Sequence, residues 1–469
     1  MRIGKIKSLR RWVVASFAGA ALIVGLLAPT PARAIGPHEI VLVVNDDSDD
    51  SVLLALIYKR LRSVPDSNVV RLSIPRQIYD GEGTDISPEN FTKYIWGPLN
   101  EAIEKAGLSR QVLAAVFSCG FPTKVTTPIP VSLTGAVFLR NNFPPKEEID
   151  SGRYVSDLYA GPSNAETSIG ETETFDSSRS RLPNDMPFPA MMLAFTGTNG
   201  TTVAKADAYL RLAATGDNTR PGGTIWFAVN NDVRSTSRHW EYNAVTNGFA
   251  RHATINAIVS TNQPAAANFP LVGYMTGARA VRPSAFKFAP GAFAEHLTSF
   301  GAAFDQRAQT KVTEWLENGA AFTAGTVCEP YALWTKFPHA CIYTHYVRGC
   351  TAIEAFYQSV RCPLQTLPLG DPLASPWSEK IVAQMFVPEG PLSGIVELKA
   401  AIVDERTEVF YRFQWFVDGV LVGAGRTLVW DTRQFPNGSH KVRVVVRRQL
   451  ESVKQQGFTE IRVTLNNKK

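Results

Sequence analysis

The sequence predicts an open, mostly parallel α/β sheet with helices on both faces, followed by a small C-terminal β-sandwich. Three observations carry this expectation. Continuous apolar runs at 40–44 and 112–117 read as strands buried on both faces. Helical patterns separate them in β-α-β-α-β order, which implies right-handed crossovers. From about Ile381 the texture changes to period-two alternation, interrupted by the hairpin signals Asp418-Gly419 and Asn437-Gly438.

Taken in order, the run at 40–44 ends in Asn45-Asp46-Asp47. A helix follows, with Leu53, Leu54, Ile57, Tyr58 and Leu61 along one side. Pro65-Asp66-Ser67-Asn68 is a turn before a second strand at 69–72. Residues 88–106 read as a helix, and the third strand at 112–117 stops at Ser118-Cys119-Gly120-Phe121-Pro122. Residues from about 125 to 200 are rich in Gly, Pro, Ser and Thr, and are expected to form a loop-rich insertion over one edge. Regular structure resumes with a helix at 203–214, a strand at 224–229 and a helix across 242–258. A helical face at 293–299, a strand at 320–327 and a helix at 353–360 come next. The last strand, 366–369, is closed by Gly370-Asp371-Pro372. We therefore expect an α/β domain over 35–377, a Pro-containing linker, and an immunoglobulin-like sandwich over 381–469.

The first 34 residues read as a secretory signal. Arg2, Lys5, Lys7, Arg10 and Arg11 precede an apolar run, and Ala32-Arg33-Ala34 supplies small residues at −3 and −1, so cleavage is expected after Ala34. The run is shorter than the roughly 20 residues that span a bilayer. The mature chain is expected to be periplasmic or extracellular, without a transmembrane segment. Of 48 basic residues, six fall in this segment along with none of the 42 acidic ones, leaving 42 of each sign. The mature balance is zero, so nucleic acid is not an expected partner. Four of the five cysteines, Cys328, Cys341, Cys350 and Cys362, fall close together, and in an oxidising compartment one or two local disulfides are expected, with Cys119 left over. Their spacing contains no C-x₂₋₄-C pair, so no zinc site is expected. No cofactor is expected either.

Ligands of open parallel sheets sit beyond the carboxyl ends of the strands. The residues just past those ends are Asn45, Asp46, Cys119, Asn230, Asn231, Asp232, Ser299, Glu329 and Asp371. Asn45, Asp46, Asn230 and Asp232 are candidate ligand-binding residues, although acidic residues at a helix start equally cap its amides. Cys119 is a candidate nucleophile with no histidine near it in sequence. Glu295, His296 and Ser299 share a face if the segment is helical, which suggests a hydroxyl-imidazole-carboxylate set. Glu329, fixed before Pro330, and Asp371, fixed between Gly370 and Pro372, offer a carboxylate pair for acid-base work.

Several of these segments carry a resemblance. Asn45 and Ser51, Gly120-Phe121-Pro122, Pro290-Gly291-Ala292, Ser299-Phe300-Gly301, Gly325-Thr326-Val327-Cys328-Glu329-Pro330, Lys336-Phe337-Pro338, Glu354-Ala355 and Gly370-Asp371-Pro372-Leu373 together resemble an uncharacterised exported protein family of bacteria that carry exosortase. More distantly, the layout is similar to the caspase-like fold of the gingipain-type cysteine peptidases. That resemblance implies a His-Gly at Cys119-Gly120 and a nucleophilic cysteine near Ser299. Neither residue is present, and a thiolate needs an imidazole within reach.

The expected function is an exported, non-peptidase binding or assembly factor in envelope or exopolysaccharide biology, with an envelope protein or polysaccharide as partner. The alternatives are a hydrolase using Ser299 with His296, or Glu329 with Asp371, and a structural adhesin.

Overall fold

The computed structural model describes residues 34–78, 84–175, 186–262, 269–403 and 405–467. The expected signal segment, apart from Ala34, lies outside them. Ten strands form the main sheet: β1 (Ile40–Asn45), β2 (Val69–Leu72), β3 (Ala114–Phe117), β4 (Ala190–Met192), β5 (Gly223–Ala228), β6 (Ile255–Ser260), β7 (Leu271–Thr276), β8 (Phe288–His296), β9 (Phe322–Thr326) and β10 (Thr366–Gly370). Their order is β2-β1-β3-β4-β10-β9-β8-β7-β5-β6. The two flanks repeat one pattern, since β1 to β4 and β5 to β8 are each laid out second-first-third-fourth from opposite edges of the sheet. Pairing is parallel within each flank. β10 runs antiparallel to β9, Gly370 opposite Phe322 and Thr366 opposite Thr326.

Local chemistry starts and stops the first helix. α1 (Asp49–Arg62) is capped by Ser48, whose side chain accepts from the Ser51 amide. It carries Asp49 and Asp50 in its first turn, Lys59, Arg60 and Arg62 in its last, and ends on Ser63 in the left-handed conformation. α2 (Gly97–Lys105), α3 (Leu133–Phe138), α4 (Val203–Thr215), α5 (Tyr242–Phe249), α6 (Thr313–Glu317), α7 (Ile342–Val347) and α8 (Ala352–Ser359) complete the set used below. α8 begins with a capping box between Thr351 and Glu354.

Three expectations about elements are corrected. The segment 293–299 is not helical: β8 ends at His296 and is buried along nearly its whole length. An apolar run buried on both faces has no period, and Pro290 with Gly291, at φ 91°, excludes a helix. The helix expected across 242–258 stops at Phe249, and its second half is the edge strand β6. The insertion near 125–200 is not all loop. It supplies β4, near the middle of the sheet, and α3, every residue of which is buried. Gly135 in α3 lies so close to the Leu364 backbone that a Cβ there would stand 2.3 Å from its carbonyl oxygen.

The expected disulfides are also absent: all five cysteines are free, and Cys119, Cys341, Cys350 and Cys362 are buried. They behave as small apolar side chains. Cys328 instead accepts from the Gln365 amide at 2.9 Å.

Beyond Trp377, seven strands form two antiparallel sheets: β11 (Val382–Phe386), β12 (Ile395–Val403) and β15 (Thr427–Asp431) in one, β14 (Val420–Ala424), β13 (Tyr411–Val417), β16 (Gly438–Arg448) and β17 (Gln456–Leu465) in the other. Leu398, Trp415, Leu428, Trp430 and Val444 fill a core of their own between them. Val453, from the β16–β17 loop, belongs instead to the core of the large sheet. Among the described residues no helix is long and apolar enough to cross a membrane.

Candidate functional site

The carboxyl end of β1 is tied to that of β3. Asn45 takes its amide to Ser51 Oγ at 2.9 Å, gives its side-chain amide to the Gly120 carbonyl at 2.6 Å, and receives the Asp47 amide on its own side-chain oxygen at 3.0 Å. Asn230, past β5, does the same: its amide goes to Ser235 Oγ, its side-chain amide to the Gly277 carbonyl beyond β7, and it receives the Asp232 amide. These asparagines close the repeated strand-helix turns of the two flanks. Their hydrogen-bonding groups are used within the protein rather than presented to a ligand. Asp46 pairs with exposed Arg71, and Asp232 caps its own short helix while pairing with Arg234.

Cys119 is fully buried behind this rim, and burial pushes its thiol up to about 12. Among the described residues no imidazole bonds to it. At neutral pH it is a protonated thiol in a closed site, the opposite of an activated nucleophile.

The Ser299 loop lies on the same rim. The Phe195 and Phe304 rings stack at 4.3 Å, and Lys124 reaches Asp305 at 3.1 Å, bringing the β3, β4 and β8 loops together. Thr326, closing β9, donates to the Ser299 carbonyl at 2.9 Å. Lys311, which sequence reading passed over, gives its ammonium to the Phe300 and Ala303 carbonyls at 2.8 and 2.7 Å. Burial lowers its pKa to about 8. It serves as a tether for the loop.

His296 does not face Ser299 as a base. Its Nδ1 accepts from the Trp315 indole at 2.9 Å, and its Nε2 meets the Thr310 carbonyl at 3.1 Å, which fixes one neutral tautomer. Burial holds its pKa down to about 4. Glu295, the next residue along the strand, points to the other face of the sheet, where it bonds Arg238 at 2.7 Å. The hydroxyl-imidazole-carboxylate set is therefore not assembled.

Glu329 and Asp371 are not a pair. Glu329 is exposed beyond the end of β9 and accepts the Tyr331 amide at 2.9 Å. Asp371 lies next to the start of β9, about 13 Å of strand away at ~3.3 Å per residue. There it is fully buried, accepting from Tyr58 at 2.9 Å, from Arg62 Nε at 2.8 Å and from the Leu373 amide at 3.1 Å. Arg62, at the end of α1, also pairs with Asp217, just past α4. The shared rim therefore holds the tips near 45, 119 and 299, while the 370–372 tip lies on the opposite edge.

Behind β7 and β8 lies a cluster of which sequence reading named only Glu295. Arg238, Glu241, Thr276, Glu295 and His339 are all at most 1% exposed. Arg238 Nε and Nη1, Glu241 Oε1, Thr276 Oγ1, Glu295 Oε1 and His339 Nε2 have no hydrogen-bond partner among the described residues. Burial raises the Glu241 carboxyl to about 8 and that of Glu295 to about 7, against the opposing pull of Arg238. The available signal was charge inside a segment that had to face the sheet, at Arg238-His239-Trp240-Glu241. With no solvent-exposed member, the cluster offers no route for a substrate.

The two domains meet through polar contacts. Arg447 forms an ion pair with Glu39, Gln456 donates to Glu39 at 2.7 Å and to the Ala34 carbonyl at 2.8 Å, and Gln455 donates to the Gly349 carbonyl at 3.1 Å. Beside this seam opens a cleft of about 660 Å³, with Arg220, Arg348, Trp377, Glu379 and Arg448 among its walls.

No family model matches the chain, and no curated protein matches it. Among solved structures it is similar to the fibronectin(III)-like modules of Clostridium thermocellum CbhA, at 14% identity over 19% of this chain and all of that one, with a TM-score of 0.16. A Parabacteroides merdae β-glucuronidase is 13% identical over 60% of this chain and 41% of its own, with a TM-score of 0.15. The endo-β-1,4-mannanase of Thermotoga petrophila is 10% identical over 80% and 83%, with a TM-score of 0.16. Likenesses this slight bear on neither fold nor activity.

Proposed function

We propose that the protein is an exported, non-peptidase binding or assembly factor of the cell envelope or exopolysaccharide, linked to exosortase systems, and that its α/β domain is a caspase-like fold without the peptidase machinery. The observation that carries this reading is Cys119. The thiol on the rim is sealed from solvent, held protonated and given no imidazole. The rival hydrolase loses both of its constellations, because His296 spends both ring nitrogens on Trp315 and Thr310, and Glu329 and Asp371 lie at opposite ends of a strand. The repeated strand order of the two flanks supports the caspase-like reading. The interdomain cleft is the concave surface on which a binding role would act.

The test is chemical. Iodoacetamide and a fluorophosphonate probe are applied to the native chain and to the chain unfolded in urea. Cys119 should be alkylated only after unfolding, and Ser299 in neither state. Stoichiometric labelling of either residue in the native protein would overturn the reading.

A further inference from the structure

We propose that the cleft between the α/β domain and the β-sandwich binds a carboxylate-bearing oligosaccharide through Arg348 and Arg220. This inference rests on the binding-factor reading above and names the chemistry of its ligand.

The cleft, at about 660 Å³, falls within the roughly 300–1,000 Å³ range of small-molecule sites. It lies at a domain junction, where such sites concentrate. Its charges are unevenly committed. Glu379 is held by Arg448 at 2.5 Å and approached by Arg220 at 3.4 Å, and Glu451 faces Arg448 at 3.4 Å. Arg448 is itself 6% exposed, a buried strut whose single charge offsets one of the two carboxylates. Arg348 is exposed and has no carboxylate partner among the described residues, its nearest polar contact being Thr172 Oγ1 at 3.4 Å. Arg220 is exposed and, among the described residues, its side chain reaches Glu379 at 3.4 Å. With three arginines against two carboxylates the walls carry one excess positive charge, Arg348 presenting an uncommitted guanidinium and Arg220 a loosely held one, and a planar fork matches a carboxylate.

The remaining walls suit a sugar better than a peptide. Trp377, 6% exposed, lines the cleft, and its indole N–H has no acceptor among the described residues. Its indole nitrogen is buried, so it contributes a narrow apolar edge. Ser452 and Thr254 add hydroxyl groups. The lining comes from loops and element ends near 220, 252–254, 347–348, 377–379 and 448–455, so no unpaired strand edge is offered for β-augmentation. Val347 and Val453 are the aliphatic contributors, too few for a row of apolar peptide anchors.

Titration calorimetry of the whole chain at low salt, with a linear triuronate, the neutral trisaccharide of the same linkage, and hexaglutamate, tests this. The triuronate should bind, and the neutral sugar about 10-fold more weakly or not at all, as expected when a charged hydrogen bond is lost. Arg348→Gln and Arg220→Gln should each weaken triuronate binding by roughly 5- to 10-fold. Arg412→Gln, on an exposed strand position of the sandwich, should leave binding unchanged. Both test positions are exposed, so a matched circular dichroism melt confirms that the variants fold. Equal affinity for the neutral sugar, no triuronate binding, tighter binding of hexaglutamate, or indifference to both substitutions would each overturn the proposal. Silent labelling probes alongside such a result would remove the ligand class alone, whereas native labelling of Cys119 or Ser299 would remove the binding-factor reading itself.

Discussion

Replacing Glu241 by Gln should flatten one limb of the pH-stability profile. Glu241 is 1% exposed, accepts the Ala340 amide on Oε2 at 3.1 Å, and faces Arg238 and Glu295. Burial raises its carboxyl from 4.5 to about 8, and raises Glu295 and Glu354 to about 7. A carboxyl with a raised folded pKa contributes stability that is present below its unfolded value and lost as pH rises through its folded one. His296, lowered to about 4, and His339 and His345, lowered to about 3, do the reverse: their contribution is present above 6.5 and lost as pH falls. Between pH 4.5 and 6.5 the three carboxyl groups oppose these three imidazoles, and buried His38, also held well below 6.5, tips the balance so that stability rises gently with pH. Above pH 7 Glu241 is the main group of these still titrating, with the tails of Glu295 and Glu354 beside it, and the fall between pH 7 and 8 should be about 1–2 kcal/mol. In Glu241→Gln the amide oxygen keeps the Ala340 bond and the charge is gone, so the decline between pH 7 and 8 should shrink to about half or less. Urea midpoints followed by tryptophan fluorescence at half-unit pH intervals give the slopes. A variant that keeps the wild-type decline, or a wild type that is flat from pH 7 to 8, would refute the argument.

Other perturbations test neighbouring claims. Asp371→Asn removes one counter-ion of buried Arg62 and should cost about 3–5 kcal/mol in a urea melt, without restoring or abolishing any hydrolysis. A loss below ~1 kcal/mol would mean that the Arg62 pairing is not structural. Asn45→Ala and Asn230→Ala each leave a turn amide without its acceptor and should destabilise by about 1–3 kcal/mol, while triuronate affinity stays within twofold. A selective loss of affinity would return these residues to the ligand. Arg447→Met breaks the ion pair to Glu39 across the domain seam, and limited proteolysis should then release the sandwich faster than in the wild type.

Legibility followed burial. Strands covered on both faces wrote themselves as apolar runs, so β1, β3 and β5 were readable from one sequence. β4 has three residues and sits between irregular segments, too short for any periodicity to register. β8 was apolar enough to notice, yet its buried run carries no period, and three-residue spacing made Glu295, His296 and Ser299 look like one face. In a strand, Glu295 and His296 part to opposite faces, and the triad dissolves with the change of element. The candidate carboxylate pair failed for a different reason. Gly370-Asp371-Pro372 is a strand end like the others, but β10 is antiparallel to β9 and delivers its end to the opposite edge. Strand direction is a long-range property, and nothing within five residues of Asp371 encodes it.

The polar residues that most resembled a ligand set are better explained by the repetition in the sheet. Asn45 and Asn230 occupy equivalent positions, after the first strand of each flank, and each makes the same three contacts: to a helix serine, to a following aspartate amide, and to a glycine carbonyl beyond the third strand. A ligand site used once has no need of two copies on opposite flanks. A fold that twice turns from a buried strand into a helix must twice satisfy the same orphan amides, and asparagine with serine does so at each turn. The residues that break the repetition are therefore more informative. Arg348 and Arg220 have no counterpart in that turn chemistry, sit where the sandwich meets the sheet, and leave their charge facing an open cleft. An exposed guanidinium fixed at a seam and facing no carboxylate among the described residues, as at Arg348, is the feature that packing alone does not require.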